Sequence, residues 1–283
     1  MKAKDYRAKA RRALKGKWIR TALHILLAQA VLSAAGLIVS FVAMGPLMVS
    51  VFRGLDRAVY GAEVTTNQLV QIPTSFFIIV TLGVLIAGVV QSLLAVGMSN
   101  VGRAVLDGQQ PGPKLLFPFG LLGKVIAMNL VRAVLVAVQL MLLIAPGVIA
   151  MYRYAMADYL LAAHPNLGSI EALRRSARRM KGRKAKLFYL QLSFVGWAAL
   201  CALPAVAMNL WTNFRLFGAA QGYGHEVLVH TMLAFYGLSA VVILLGGIAE
   251  LFVAAYQLVA VTAFFKRADK SGKKRKKALP KPQ

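Results

Sequence analysis

The chain predicts an all-α, polytopic membrane protein: six transmembrane helices, with basic amphipathic helices on the cytoplasmic side. Three observations carry that expectation. Long runs lack charge: from Thr21 to Phe52 only His24 can hold one, and a second run lies between Glu63 and Arg103. A helix needs about 20 apolar residues to cross the hydrocarbon core, and these runs exceed that. Hydrophobic residues make up 59% of the 283 and mean hydropathy is +0.65. The 15% of charged residues could not cover a soluble core of that composition. Finally, the 34 lysines and arginines lie almost wholly in the gaps between runs.

The chain divides into a basic interfacial N-terminal helix (1–18), a membrane domain (19–265) and a lysine-rich, disordered cytoplasmic tail (266–283). The first span covers 19–44 and ends at Gly45-Pro46. Ala28-Gln29-Ala30 faintly resembles a signal-peptide cleavage site, but the apolar run continues past it, so the span is expected to stay uncleaved. The second span covers 75–98, following Pro73, and the third covers 125–145 and stops at Pro146-Gly147. A short fourth, 148–163, ends before Pro165; the fifth covers 187–210. The sixth lies within 231–265, overlong enough to need tilt or a bend at Gly246-Gly247.

Charge orients these spans. Of the 34 cations, 29 fall before Thr21, between the second and third spans, between the fourth and fifth, and in the tail. The opposite side holds Arg53, Arg57 and Arg215, while Arg132 and Arg153 lie within spans. The positive-inside rule then puts both termini in the cytoplasm. Merging the third and fourth spans would strand the basic tail outside. A net charge of +25 often signals nucleic acid, but here the cations abut apolar runs as topology determinants do, so none is expected. The lone Cys201 excludes an intrachain disulfide.

Two basic segments resemble each other: ARRALKG at 10–16 and ARRMKG at 177–182. Each is a basic turn, a Lys-Gly break and then a span, as a duplicated hairpin would have. Within 168–182, Ile170, Leu173, Ala177 and Met180 form an apolar stripe, and Arg174, Arg175, Arg178, Arg179 and Lys181 occupy the other faces. Gly182 provides the stop. Tyr6, Ala10, Leu14 and Trp18 form a similar stripe beside Arg11 and Arg12. Both helices are expected to lie flat on the inner leaflet. Their cations either only set topology or dock anionic phospholipid headgroups or a membrane protein partner.

Four ionisable residues fall inside spans. Arg132 lies 14 residues before Pro146 and Asp158 lies 11 after Gly147. Both are therefore about 17–21 Å from the turn, at a depth where they can pair. Arg153 lies nearer the outer face, where it can snorkel, and Glu250 in the sixth run has no evident partner in sequence. Intramembrane charges mark either a structural lock or a solute or proton path. His225, Glu226 and His230 miss the zinc-protease spacing by one residue, so neither metal nor cofactor is expected. No nucleophile elbow, Walker loop or nucleotide fingerprint appears, so no catalytic residue is assigned.

Three stretches carry a family resemblance: 10–18 (ARRALKGKW), 145–166 (APGVIAMYRYAMADYLLAAHPN) and 170–197 (IEALRRSARRMKGRKAKLFYLQLSFVGW). They resemble a bacterial integral-membrane family known as domain of unknown function 975, through Lys15-Gly16, Pro146-Gly147, Tyr152, Tyr154, Gly182, and Phe194 to Trp197. The chain is also loosely similar in style to the membrane portion of some glycerophosphodiester phosphodiesterases, without their soluble catalytic domain. Ala255-Tyr256 stands where the family tends to have Pro-Tyr. The resemblance implies a six-span inner-membrane protein and brings no activity. The expected function is a non-enzymatic membrane scaffold or accessory subunit; the alternative is a small-solute, lipid or ion transporter.

Overall fold

The computed structural model describes residues 3–60, 72–220 and 225–278, without the side chains of 57–58, 215–240, 243–244 and 272–278. The side chains of His225, Glu226, His230, Arg57 and Arg215 thus lie outside the described residues. Every described element is helical, and five helices are long and apolar enough to cross a membrane.

Helix α1 (Ala3–Leu14) ends at Gly16, whose φ of 77° suits a residue without Cβ. The Lys17 N–H closes the turn on the Leu14 carbonyl at 2.8 Å. Helix α2 (Trp18–Val59) then runs straight through Pro46, which was expected to end the span. Proline removes one intrahelical donor, and the apolar residues on both sides keep the helix going. Helix α3 (Thr74–Leu106) starts after Pro73 as its N-cap and extends past the expected end at Met98.

Helix α4 (Leu122–Leu142) is followed at once by α5 (Ile144–Tyr154), and the turn is the single extended residue Leu143. Pro146-Gly147 is therefore not the turn. Pro146 occupies the first turn of α5, where its missing N–H has no helical partner to lose. Gly147 has a different role: a side chain there would collide with Leu140 of α4. The expected fourth span is broken in two, into α5 and α6 (Ala157–Ala163).

Helix α7 (Ser169–Met180) stops at Gly182, φ 72°, and α8 (Lys184–Ala220) follows. The α1 and α7 units match in register: Ala3 with Ser169, Leu14 with Met180, Gly16 with Gly182. Helix α9 (His225–Ala278) passes Gly246-Gly247 without interruption, and Gly246 instead lies close to the Cys201 carbonyl of α8. It also corrects the disordered tail expected from 266: the helix continues to Ala278, with Ala268 and Asp269 buried.

Helices pair as α2 with α3, α4 with α5 and α8 with α9, and α9 also touches α1 and α3. One core joins Tyr6, Leu14, Leu160, Met180, Leu190, Phe194 and Phe264; a second joins Val96, Met128, Ala150, Leu161 and Leu173. Both gather where α1, α6 and α7 meet the long helices. Elsewhere the apolar windows of α2, α3, α4 and α8 are only 11–17% buried, leaving Phe41, Leu85 and Met141 outward. An apolar surface of that extent suits hydrocarbon rather than water.

Candidate functional site

Arg132 sits ten residues from each end of α4, and its Nη1 donates to Asp158 Oδ2 at 2.7 Å. The carboxylate arrives there because α5 and α6 are separate helices, and the break between them is held by a third element. Ser176 of α7, fully buried, donates its hydroxyl to the Arg153 carbonyl (3.0 Å) and accepts the Met156 N–H (3.2 Å). Both backbone groups would otherwise be unpaired inside the protein.

The pair stands at the edge of a cleft of about 600 Å³ between α3 and α4. Its walls are mainly apolar, from Leu85, Val89, Ile126 and Val136, with Gln91, Ser92, Asn129 and Arg132 as polar groups. Asn129 donates through Nδ2 to the Val125 carbonyl at 3.0 Å, but its Oδ1 is buried without a partner among the described residues. Asp158 Oδ1 is in the same condition. Sequence reasoning overlooked Asn129, although it lies one helical turn before Arg132 on the same face. Arg153 and Glu250 join neither the pair nor the cleft: both are exposed, and Arg153 lies 5.6 Å from the centre of the Tyr154 ring.

The basic segments have changed partners. The apolar face of α1 packs Tyr6, Ala10 and Leu14 into the core, with Tyr6 against Phe264 at 5.4 Å. The face of α7 buries Ala172, Leu173, Ser176 and Met180 against α4, α5 and α6, leaving Ile170 exposed. Both stripes, expected from sequence to lie on the inner leaflet, are instead covered mainly by protein, with Ile170 left exposed. Each large side chain so buried contributes roughly 1.5–3 kcal/mol, enough to fix the helices in place.

The arginines divide accordingly. Arg11, Arg12, Arg174, Arg178 and Lys181 are exposed, and Glu171 accepts from Arg178 at 2.9 Å and lies 3.6 Å from Arg175. Arg179 is not a surface group: only 12% of its side chain is exposed, and it meets Asp269 of α9 at 3.5 Å. Burial lowers the Arg179 guanidinium from its ordinary value, and the Asp269 carboxylate opposes that shift. His164 Nε2 lies 3.4 Å from the other Asp269 oxygen. Arg183 donates to the Ala268 carbonyl and Ser271 Oγ, and Lys266 pairs with Asp107. Trp197, expected to be structural, is 57% exposed; Phe194, one turn earlier, is the buried ring and packs on Tyr256 at 5.1 Å.

No curated protein and no solved structure matches the chain. A family model does, over residues 1–271, and its description is a protein of unknown function, DUF975. That span includes both basic units, the broken helix pair and the Arg132–Asp158 contact, and the chain belongs to this family.

Proposed function

We propose that the protein is a non-enzymatic scaffold or accessory subunit of the bacterial inner membrane, gripping anionic lipid headgroups or an acidic membrane partner through its basic cytoplasmic helices. In this reading α5 and α6 together make the fourth of six crossings, and both termini are cytoplasmic. One observation carries it: α1 and α7 spend their apolar faces on the bundle and keep Arg11, Arg12, Arg174, Arg178 and Lys181 exposed. A helix needed only for topology requires no such docking. Each cation near an anionic surface is worth about 1 kcal/mol, so five on fixed supports make a strong platform.

The test is lipid selectivity in reconstituted protein, read as the preference of spin-labelled phosphatidylglycerol over phosphatidylcholine for the protein boundary. Replacing Arg11, Arg12, Arg174, Arg178 and Lys181 with glutamine should remove most of that preference, and 0.5 M salt should weaken it in the native protein. A preference untouched by the five substitutions, together with unchanged membrane-protein co-purification, would sink the reading. A second reading, a transporter, is favoured by the cleft that reaches Arg132 from between α3 and α4.

A further inference from the structure

We propose that the connector between α3 and α4 is a membrane-surface anchor. Phe117 and Phe119 seat at the boundary between hydrocarbon and headgroups, and Lys114 and Arg20 take the phosphates of anionic phospholipid there. The anchor goes beyond the platform reading and uses none of its cations.

Height comes first. Trp18 packs on Phe252 and Tyr256 of α9, with ring centres 6.3 and 6.0 Å away. Lys15, Lys17 and Arg20 flank it in sequence, and the uncharged run of α2 begins at Thr21. Tryptophan and tyrosine between cations and an apolar run mark a membrane–water boundary. Beyond Tyr256, α9 is covered by α1, whose exposed Arg11 and Arg12 exclude hydrocarbon at that level. Helices α3 and α9 run side by side, with Gly102 against Thr262 and Asp107 paired with Lys266. Counting back from these two contacts sets Leu94 of α3 level with the Phe252–Tyr256 turn.

The connector returns to that level. Helix α3 ends at Leu106, yet Leu116 is fully buried in a cluster with Leu94 and Ala28. Its carbonyl presses on Gly97, where a Cβ would collide with it. Gly97 precedes the end of α3 by nine residues, so the chain has come back about 14 Å toward the membrane.

The residues there suit that zone. Phe117 and Phe119 stack at 5.8 Å, and Phe119 is 66% exposed. Pro111, Pro113 and Pro118 have no N–H, and those of Leu115, Leu116, Phe119 and Leu121 bond to carbonyls inside the connector. Irregular backbone at a membrane surface needs few open donors, and the short turns Pro113–Leu115 and Phe119–Leu121 provide for that. Lys114 is exposed on the first turn. Arg20, exposed at the start of α2, donates to Gln110 Oε1 at 2.9 Å, which steers its guanidinium onto the connector. No acidic residue lies between 108 and 124 to neutralise them. Cations beside an exposed aromatic pair match anionic headgroups above their acyl chains.

The experiment uses the full chain in nanodiscs of mixed phosphatidylglycerol and phosphatidylcholine, with Cys201→Ser as background. Bimane is attached through Phe119→Cys, or through Gln109→Cys as the water-facing control; both positions are exposed. Quenching is read with lipid bearing a nitroxide near the headgroup end of its chain, and with aqueous iodide. The lipid should quench bimane at 119 roughly threefold or more above bimane at 109, and iodide should show the reverse order. Nitroxide on phosphatidylglycerol should quench 119 roughly twofold more than nitroxide on phosphatidylcholine, and Lys114→Gln with Arg20→Gln should equalise the two. Stronger quenching of 119 by iodide than by lipid would put the connector in water and overturn the anchor. Equal quenching by the two lipids with both cations in place would overturn the phosphate contact. So would loss of the difference when only the five platform cations are replaced by glutamine. Its persistence there, with an unchanged boundary preference in the platform test, would retain the anchor and reject the platform.

Discussion

The guanidinium of Arg132 and the carboxylate of Asp158 meet at 2.7 Å across two helices, with 27% and 15% of their side chains exposed. The contact is a single hydrogen bond rather than a two-pronged one, so most of its worth is in preventing two isolated charges inside hydrocarbon.

That predicts an asymmetry between single and double substitutions. Arg132→Leu or Asp158→Leu alone should destabilise the detergent-solubilised protein by about 2–4 kcal/mol, since each leaves an uncompensated charge. The double variant should recover most of that loss. Thermal unfolding of the three variants checks it; a double variant as unstable as the sum of the singles would mean that the two side chains act independently.

Ser176→Ala should loosen the junction of α5 and α6. It strips the Arg153 carbonyl of its donor and the Met156 N–H of its acceptor in a fully buried place. The cost is about 1–3 kcal/mol. Hydrogen exchange at Met156 and its neighbours should accelerate before the global melt changes; unaltered exchange there would refute the stitch.

Arg178 and Arg179 are alike in sequence and should behave differently. Arg178→Gln removes a pair that is 61% exposed on the arginine side and should stay within about 0.5 kcal/mol. Arg179→Gln removes a buried partner of Asp269 and should cost about 1–3 kcal/mol. Melting temperatures of the two variants settle the order, and equal losses would contradict the burial of Arg179.

Those neighbouring arginines also mark what was legible beforehand. Periodicity announces that α7 has an apolar face but not whether lipid or protein covers it, so all five cations were read as surface groups. Asp269, the partner that separates Arg179 from the rest, is far along the chain, in a segment read as disordered because it is polar and lysine-rich. Counting residues from a Pro146-Gly147 turn along one unbroken fourth helix anticipates the Arg132–Asp158 contact, although the turn is at Leu143 and the carboxylate arrives through the break between α5 and α6. The helix break at Ala155–Met156 was not, because no Gly or Pro marks it and its stabiliser, Ser176, lies twenty residues on. The displaced turn has a local cause: Pro-Gly reads as a stop, yet proline is equally at home in the first turn of the next helix.

The glycines that close α1 and α7 offer a further check. Gly16 and Gly182 hold φ of 77° and 72°, where a Cβ is strained. Alanine at either should cost about 1–2 kcal/mol, although space around both is open. Gly196→Ala, inside α8 and also in open space, should be neutral or stabilising by up to about 1 kcal/mol. Unfolding of the three proteins distinguishes backbone strain from packing, because only strain separates the first two from the third.

Water in the cleft separates a transporter from a protein whose cleft faces hydrocarbon alone. Ser92 lines it, and its hydroxyl donates only to the Gly88 carbonyl at 2.7 Å, so a cysteine there is a mild change. With Cys201→Ser as background, Ser92→Cys is challenged with a small, membrane-impermeant maleimide in intact cells and in inverted vesicles, and Lys181→Cys serves as the exposed control. A transport path must at some stage admit water to mid-depth, so reaction from either side supports it. A cleft occupied by hydrocarbon excludes the charged reagent from both sides yet still admits a lipid-soluble one. The expected result for the platform protein is that second pattern, because most of the lining around Ser92 is apolar, with Gln91, Asn129 and Arg132 as the other polar side chains. Labelling by the impermeant reagent in inverted vesicles but not in cells would open the cleft to the cytoplasm alone, and would move the search to what enters there.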